Sequence, residues 1–208
     1  LRIAQGTVVG CNHALEHGIA FNIAGGTHHA FSDRGEAFCL LNDQAIAAQY
    51  LINQKKCHKI LIVDLDVHQG NGTAEIFQNN ADVITFSMHG QSNYPFRKET
   101  SDYDIALPDK TDDTTYLSIL QETLPELLNI HRPDFVFYLA GVDILGTDKL
   151  GKLGCTLEGC KTRDSYVLGL CKSLGIPVQV SMGGGYSPAI KTIIEAHANT
   201  YRVARALY

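Results

Sequence analysis

The sequence lacks the features that would indicate a membrane or secreted protein. Its longest apolar runs, such as Ile60–Val63 and Phe135–Ala140, are far too short to cross a bilayer. The first residues, Leu1–Ala4, do not resemble a signal peptide, and the six cysteines include no C-x-x-C pair. We therefore expect no membrane span, and reduced thiols in the cytoplasm or, in a eukaryote, the nucleus.

The sequence also lacks an excess of positive charge. Its net charge of −5 argues against direct nucleic-acid binding, because the phosphate backbone rewards clustered Lys and Arg. The same balance would allow a basic peptide or a polyamine as substrate. No repeat or linker divides the chain, and 208 residues are enough to bury one core. We predict a single domain over residues 1–208, with its oligomeric state left open.

Strand-like and helix-like segments alternate along the chain. The predicted strands are Ile19–Ile23, Lys59–Val67, Asp82–Met88, Asp134–Leu139 and Val178–Ser181. The predicted helices are Ala37–Lys55, Thr73–Gln78, Thr114–Ile130, Leu157–Leu174 and Ser187–Leu207. This alternation predicts an α/β fold of three layers, α/β/α, around a mostly parallel sheet. In such folds the reactive groups gather outside the carboxyl ends of the strands.

Ionisable residues follow two of the predicted buried strands. Asp64, Asp66 and His68 come after the apolar run Ile60–Val63, and strand alternation would place all three on one face. Buried charges are costly unless they are paired or bind a cation. The alternative, solvated charges at the surface, is disfavoured by the apolar run before these residues and by the glycine-rich turn Gly70–Gly72 after them. Asp143 follows a second apolar run. One His and two carboxylates predict a catalytic Zn²⁺ site at Asp66, His68 and Asp143, although Fe²⁺ or Co²⁺ would also suit these ligands.

Two glycine-rich strand ends carry the remaining polar residues. His28 and His29 follow Gly25-Gly26, and a histidine tuned by a carboxylate is a natural general base for an attacking water. Tyr186 follows Gly183–Gly185, and its hydroxyl could donate to a developing oxyanion. A phosphate-binding loop is the alternative for this glycine run, but the run lacks the G-x-x-x-x-G-K-[ST] spacing and its lysine.

Five stretches at these positions resemble the histone deacetylase family, within the arginase/deacetylase fold. They are Gly26–Ala30, Gly35–Asp43, Asp64–Gly72, Ala140–Leu145 and Gly183–Tyr186. They occur in the family's order and span nearly the whole chain, and Gln69–Gly72 looks most like the class IV branch and its bacterial relatives. The resemblance implies a metal-dependent deacetylase that releases a carboxylate and a free amine. Its substrate would be an acylated lysine in a protein or peptide, or an acylated polyamine.

The resemblance also gives individual residues their expected roles. His28 would be buffered by Asp64, and His29 by Asn71. The second histidine would act as general base and later protonate the leaving amine, while Tyr186 and zinc polarise the scissile carbonyl. The implied zinc ligands are Asp66, His68 and Asp143, and the implied channel residues are Phe38, Tyr94 and Gly184.

Family members also bind monovalent cations, which implies K⁺ or Na⁺ as a further cofactor. An inner site would use Asp64, Asp66, His68, Ser87 and Met88, and an outer site would use backbone oxygens of Phe77, Asn80, Val83 and Tyr103.

The sequence departs from the family pattern in two places. Asn71 replaces the aspartate of class I enzymes, which should leave His29 less basic. Family members usually carry a rim-forming segment before the position of Leu1, so we expect that N-terminal part of the domain to be missing.

Two other functions compete with the deacetylase hypothesis. A ureohydrolase of the same fold would need two Mn²⁺ ions, but Gln69 and Gly70 stand where further carboxylates would be wanted. A non-catalytic acyl-amine binder on the same scaffold would be expected to have lost a ligand, a histidine or Tyr186. The preferred acyl length is left open.

Overall fold

The structure, a computed structural model, describes all residues from Leu1 to Tyr208. Its strands are β1 (Ile19–Asn22), β2 (Ile60–Asp64), β3 (Val83–Gly90), β4 (Tyr103–Leu107), β5 (Phe135–Leu139) and β6 (Val178–Ser181). Its helices are α1 (Arg2–His17), α2 (Asp43–Asn53), α3 (Asn71–Phe77), α4 (Asp113–His131), α5 (Leu157–Leu174) and α6 (Ile190–Leu207). The strands form one sheet in the order β1-β6-β5-β2-β3-β4, and every pairing is parallel.

The central strands are apolar on both faces because helices cover both sides of the sheet. Ile60 and Ile62 of β2 belong to one buried cluster, and the alternating Leu61 and Val63 belong to another. The first cluster includes Ala14 of α1 and Leu51 of α2, and the second includes Leu124 of α4, Val167 of α5 and Ala196 of α6. The predicted three-layer α/β/α fold is therefore confirmed, with a wholly parallel sheet.

Local capping explains where several helices begin and end. The Asp112 side chain accepts from Thr115 N at the start of α4, and the Thr156 side chain accepts from Gly159 N at the start of α5. Gly175 ends α5 with a φ of 67°, a left-handed conformation that glycine adopts without steric cost. Pro125 lies inside α4, which continues past it as one helix. None of the six helices combines the length and the apolar composition that crossing a bilayer requires.

The helix predicted over Ala37–Lys55 begins instead at Asp43. Asn42 caps it by accepting from Ala45 N, so the residues before it are outside the helix. Ala37 and Phe38 have φ values of 40° and 66°, which no right-handed helix contains. The prediction failed because the apolar spacing of this segment extends into a turn that precedes the cap.

Two elements were not predicted, and two further boundaries were wrong by three residues. Helix α1 contains few large apolar residues, and edge strand β4 buries only its last residue, so neither carries a clear periodic signal. Strand β2 ends at Asp64 rather than Val67, because the following residues turn to make side-chain hydrogen bonds. Helix α6 begins at Ile190 rather than Ser187.

Candidate active site

The carboxyl ends of β2 and β5 bring Asp66, His68 and Asp143 together. Strand alternation does not place Asp66 and His68 on one face with Asp64 as predicted, because β2 has already ended at Asp64. Instead, Asp66 N donates to Asp64 Oδ1 (3.2 Å) and His68 N donates to Asp66 Oδ1 (3.0 Å), which folds the segment into tight turns. Asp143 Oδ1 accepts from Val67 N at 2.9 Å and so joins the loop after β5 to the loop after β2.

These three side chains form a buried group suited to a divalent cation. Their ligand atoms all lie within 4.8 Å of one another, and His68 Nδ1 is 3.1 Å from Asp66 Oδ1 and 3.3 Å from Asp143 Oδ2. Asp143 is completely buried, yet its Oδ2 has no hydrogen-bond donor. An unsatisfied buried carboxylate beside a second carboxylate is costly, and a bound cation would remove that cost. The residues therefore fit a metal ion.

The electrostatics of the group indicate the same need for positive charge. Burial and the negative charge of Asp66 raise the pKa of Asp143 to about 7. Burial acts to lower the pKa of His68, but the two neighbouring carboxylates outweigh it and raise that pKa to about 10. Both shifts show that the two carboxylates favour a positive charge between them.

The glycines after β6 pack directly against the carboxylates. Gly184 N donates to Asp66 Oδ2 at 2.8 Å, and a Cβ at Gly184 would lie only 2.1 Å from Asp143 Oδ2. Only glycine allows this close approach. Gly184 O accepts from Val142 N, so Gly184 lines the cavity with both backbone groups already bonded. Gly184 would therefore contact a substrate by shaping the cavity wall and not by a hydrogen bond.

The two histidines lie against the partners that the resemblance implies. His28 Nδ1 is 2.7 Å from Asp64 Oδ2, and His29 Nδ1 is 2.7 Å from Asn71 Oδ1. Their ring centroids are 4.1 Å apart. The His29 ring also meets that of His68 edge-on, at an interplanar angle of 70° and a centroid separation of 6.1 Å. Both imidazoles thus face the candidate metal ligands.

The partners give the two histidines opposite protonation behaviour. Burial acts to lower the pKa of His28, but the charge of Asp64 outweighs it and raises the pKa to about 9. Burial and the charge of His28 lower the pKa of His29 to about 3. Because Asn71 Oδ1 can only accept, His29 Nδ1 carries the hydrogen, and Nε2 keeps a free lone pair. The pKa shifts thus favour a cationic His28 beside a neutral His29.

A cavity of about 580 Å³ contains the metal-ligand group and reaches an aromatic mouth. Phe38 is 90% exposed and its ring centroid is 6.5 Å from that of Tyr186, while Tyr94 meets His29 edge-on at 5.1 Å. Tyr186 N donates to Asp148 Oδ2, which fixes the backbone of this residue. The cavity is also lined by Phe96, Leu150 and Lys152, which were not predicted as site residues.

The residues expected at the monovalent-cation sites lie on neighbouring elements. Ser87 is paired with Asp64 across β2 and β3, and its hydroxyl lies 2.9 Å from His89 Nδ1. Met88 follows Ser87 in β3. Of the outer set, Phe77 ends α3, Val83 begins β3 and Tyr103 begins β4. Asn80 Oδ1 accepts from Val83 N at 3.2 Å. Cation binding at either site stays a prediction.

Asp43 is a structural residue of the site whose role was not predicted, although it lies in a family-like stretch. It is completely buried and accepts from Gly26 N, Thr27 N and the Thr27 hydroxyl at 2.8–3.0 Å. The hydroxyl of Thr7, in α1, also donates to it. Asp43 therefore holds the loop that presents His28.

Glu36 and Arg163 were missed for different reasons. Glu36 contacts Asn71 and Tyr94, which are distant in sequence, so no local pattern reveals it. Arg163 and Asp164 occupy the buried side of α5 with Cys160 and Val167. A buried charged pair in an apolar helical stripe is a readable signal, since such residues are rarely buried without a partner.

The fold and the site together define an α/β protein of the three-layer deacetylase fold with an Asp–His–Asp group at the carboxyl edge of its sheet. The histone deacetylase domain matches residues 1–201, and an uncharacterized protein of Picosynechococcus is 49% identical over the whole chain and 69% of its own length. The chain thus belongs to the histone deacetylase family, which confirms the family expected from the sequence.

Other relatives are more distant and longer. Histone deacetylase 2 of Arabidopsis thaliana is 31% identical over 91% of this chain and 50% of its own length. Histone deacetylase RPD3 of Saccharomyces cerevisiae is 33% identical over 81% of this chain and 40% of its own length. The crystal structure of the HDA15 HD domain matches with a TM-score of 0.83, 26% identity, and coverage of 98% of this chain and 62% of that one. An acetylpolyamine aminohydrolase from Burkholderia pseudomallei matches with a TM-score of 0.81, 26% identity, and coverage of 98% and 61%.

Proposed function

We propose that this chain carries the core of a zinc-dependent amide hydrolase acting on an N-acyl-lysine or an acylated polyamine. The observation that carries the proposal is the buried group of Asp66, His68 and Asp143, which shares one cavity with His28 and His29. Family membership supports the reaction class. The two substrate types reflect the relatives, which include proteins named histone deacetylases and one named acetylpolyamine aminohydrolase.

The donor set supports zinc as the ion. One imidazole nitrogen and two carboxylate oxygens leave an open coordination position, as catalytic zinc sites do. When bound, the ion would polarise the substrate carbonyl and lower the pKa of a water molecule in the cavity.

The histidines would move the protons. Water adds to the amide carbonyl carbon, and His29 Nε2 accepts the water proton, because Nδ1–H is held by Asn71. The C–N bond then breaks as His29 passes that proton to the nitrogen, which leaves as an amine while the acyl group leaves as a carboxylate. His28, kept positive by Asp64, would stabilise the negative charge that develops between these steps.

Tyr186 and the mouth aromatics would orient the substrate. The Tyr186 hydroxyl would donate to the developing oxyanion, and the aromatic rings of Phe38 and Tyr94 would pack along an alkyl chain. An aromatic entrance suits the methylene stem of lysine or of a polyamine.

The site gives no support to a two-manganese ureohydrolase. Gln69, which follows the ligand His68, donates its side-chain amide to Glu99 O and Asp104 Oδ1, both at 2.8 Å. That side chain is committed to other partners, and the nearby histidines and Tyr186 suit a single-ion site.

Turnover of fluorogenic acetyl-lysine peptides, of longer acyl-lysines and of an acetylated polyamine tests the proposal on this 208-residue chain. We expect activity that a chelator abolishes and that one equivalent of Zn²⁺ restores, with none in Asp66→Ala. Metal analysis should give one ion per chain, and two manganese ions would favour the ureohydrolase. Binding of these amides without chelator-sensitive turnover would instead identify a non-catalytic binder.

A further inference from the structure

The carboxylate of Glu36 joins the acid–base machinery to the cavity mouth. Its Oε1 accepts from Asn71 Nδ2 at 2.9 Å and from the Tyr94 hydroxyl. Its Oε2 lies 3.5 Å from Arg34 Nε. Hydrogen bonding from Tyr94 lowers the pKa of Glu36, so the group is an ionised, acceptor-only carboxylate at neutral pH.

Glu36 also begins the turn that displays Phe38. Glu36 and Cys39 exchange two backbone hydrogen bonds of 2.8 Å, and the two residues between them both have positive φ. This is the geometry of a tight hairpin turn that normally uses Asn and Gly, and it is unfavourable for Ala37 and Phe38. The side-chain bonds of Glu36 hold this turn against the cavity wall.

The contact with Asn71 has a chemical consequence. A primary amide can sit in two orientations that exchange its oxygen and nitrogen. In the observed one, Oδ1 faces His29 Nδ1 and Nδ2 faces Glu36. In the reversed one, Oδ1 would face the carboxylate, so two acceptors would oppose each other. The reversed amide would also offer a donor to His29 and favour the wrong tautomer.

We infer that Glu36 is a positioning residue that fixes the amide orientation of Asn71 and thereby the tautomer of His29. The inference rests on the proposed function, because it serves the proton-accepting role of His29 Nε2. Selecting a tautomer matters because an imidazole with its lone pair on Nδ1 cannot accept a proton at Nε2.

Two substitutions of Glu36 by side chains of similar length separate the effect of hydrogen bonding from that of packing. Glu36→Met removes the acceptor, and we expect kcat to fall about tenfold or more while KM changes by less than about threefold. Glu36→Gln keeps a carbonyl oxygen for Asn71 and should stay within about threefold of wild type. Glu75→Met is the matched control, since Glu75 is half-buried and accepts from Ser32 without touching Asn71. A Glu36→Met variant with wild-type kcat would overturn the inference.

A double-mutant cycle with Asn71→Asp distinguishes the amide from the turn. An aspartate offers His29 an acceptor in either orientation, so Glu36→Met should cost nothing in that background. An equal loss in both backgrounds would mean that Glu36 acts only through the Phe38 turn, and the inference would be wrong.

The His29 tautomer can be observed without any substrate. Nitrogen-15 NMR of the imidazoles, assigned with His29→Gln, should show hydrogen on Nδ1 in wild type and in Glu36→Gln, in zinc-loaded protein. Glu36→Met should show a mixture of tautomers, and a single unchanged tautomer would refute the inference. If these spectra behave as expected while wild type hydrolyses no acyl amide, the proposed function fails and the positioning role of Glu36 stands.

Discussion

The Nη1 atom of Arg163 lies 2.7 Å from the carbonyl oxygen of Gly141, two residues before the candidate ligand Asp143. The same nitrogen donates to Leu65 O at 3.2 Å, one residue before Asp66. A single buried guanidinium therefore connects the two loops that carry the carboxylate ligands. Asp164 balances its charge by accepting from Nε and Nη2.

Arg163→Met should lower the free energy of unfolding by about 3 to 5 kcal/mol, because it leaves the buried Asp164 carboxylate without its cation and two carbonyls without their donor. Urea unfolding of the metal-free protein measures this. Arg163→Lys keeps the charge but not the planar fork, so its loss should be smaller. Lys161→Met, on the exposed side of the same helix, is the control. A near-wild-type stability for Arg163→Met would contradict the connecting role.

His197 should make the protein sensitive to mild acid. Burial and the positive charge of Arg163 lower its pKa to about 4, against roughly 6.5 in an unfolded chain. The unfolded state therefore binds the extra proton between these values, and stability falls as the pH drops from about 6.5 to about 4. The expected contribution at pH 5 is about 2 kcal/mol.

Urea unfolding at pH 7.5 and pH 5.0 tests this contribution. His197→Met should lose about 2 kcal/mol less than wild type between the two pH values, because it has no imidazole to protonate. His17→Met, at an exposed position on α1, serves as the control. The assignment to His197 fails if the His197→Met protein loses as much stability as wild type.

Tyr186→Phe tests the oxyanion role. Loss of one preorganised donor should reduce kcat by about a hundredfold while zinc content stays at one ion per chain. Tyr166→Phe removes a hydroxyl that bonds to Gln121 O outside the cavity, and should leave kcat unchanged. Full activity in Tyr186→Phe would require another donor to the oxyanion.

His29→Ala should also reduce kcat by about two orders of magnitude or more, with zinc retained, because the water proton loses its acceptor. Substitution of the candidate ligand Asp66 by alanine should instead remove the metal. Equal metal loss in both variants, measured by elemental analysis after desalting, would make His29 a structural residue.

The sequence was most informative where a local pattern coincides with a tertiary role. Strands β2 and β5 were predicted because they are continuous apolar runs, and α5 because its apolar period ends at Gly175. The predicted parallel sheet was enough to infer that the polar residues at the strand ends gather at one edge of the sheet. The same reasoning could not show that Asp66 and His68 converge through turns, because side-chain hydrogen bonds ended the strand early.

Residues that act through distant contacts were beyond local reasoning. Glu36 reaches Asn71 and Tyr94 only because a turn with positive φ brings the segments together. Nothing in the sequence around Ala37 and Phe38 indicates that turn, since neither residue favours positive φ. Edge strand β4 was missed because alternate exposed residues weaken its apolar signal.

Asp143→Asn should have opposite effects on the metal-free and the metal-bound protein. At pH 8 the metal-free protein buries Asp143 Oδ2 near the charge of Asp66 and without a hydrogen bond, and the nearest positive group is His68, whose Nδ1 lies 3.3 Å away. An amide at this position removes one charge and can donate to a neighbouring carboxylate oxygen, so metal-free Asp143→Asn should melt at a higher temperature than metal-free wild type. Losing a charged ligand should at the same time abolish most of the stabilisation by zinc.

Thermal unfolding with a chelator and with a small excess of Zn²⁺ measures both effects on the same samples. Wild type should gain stability from zinc, and Asp143→Asn should begin higher and gain little. Asp33→Asn changes an exposed carboxylate in the same way and should follow wild type in both conditions. If metal-free Asp143→Asn melted well below wild type, the carboxylate would be stabilising without an ion. The buried group would then be a structural network, because the cost that a cation is expected to relieve would not exist.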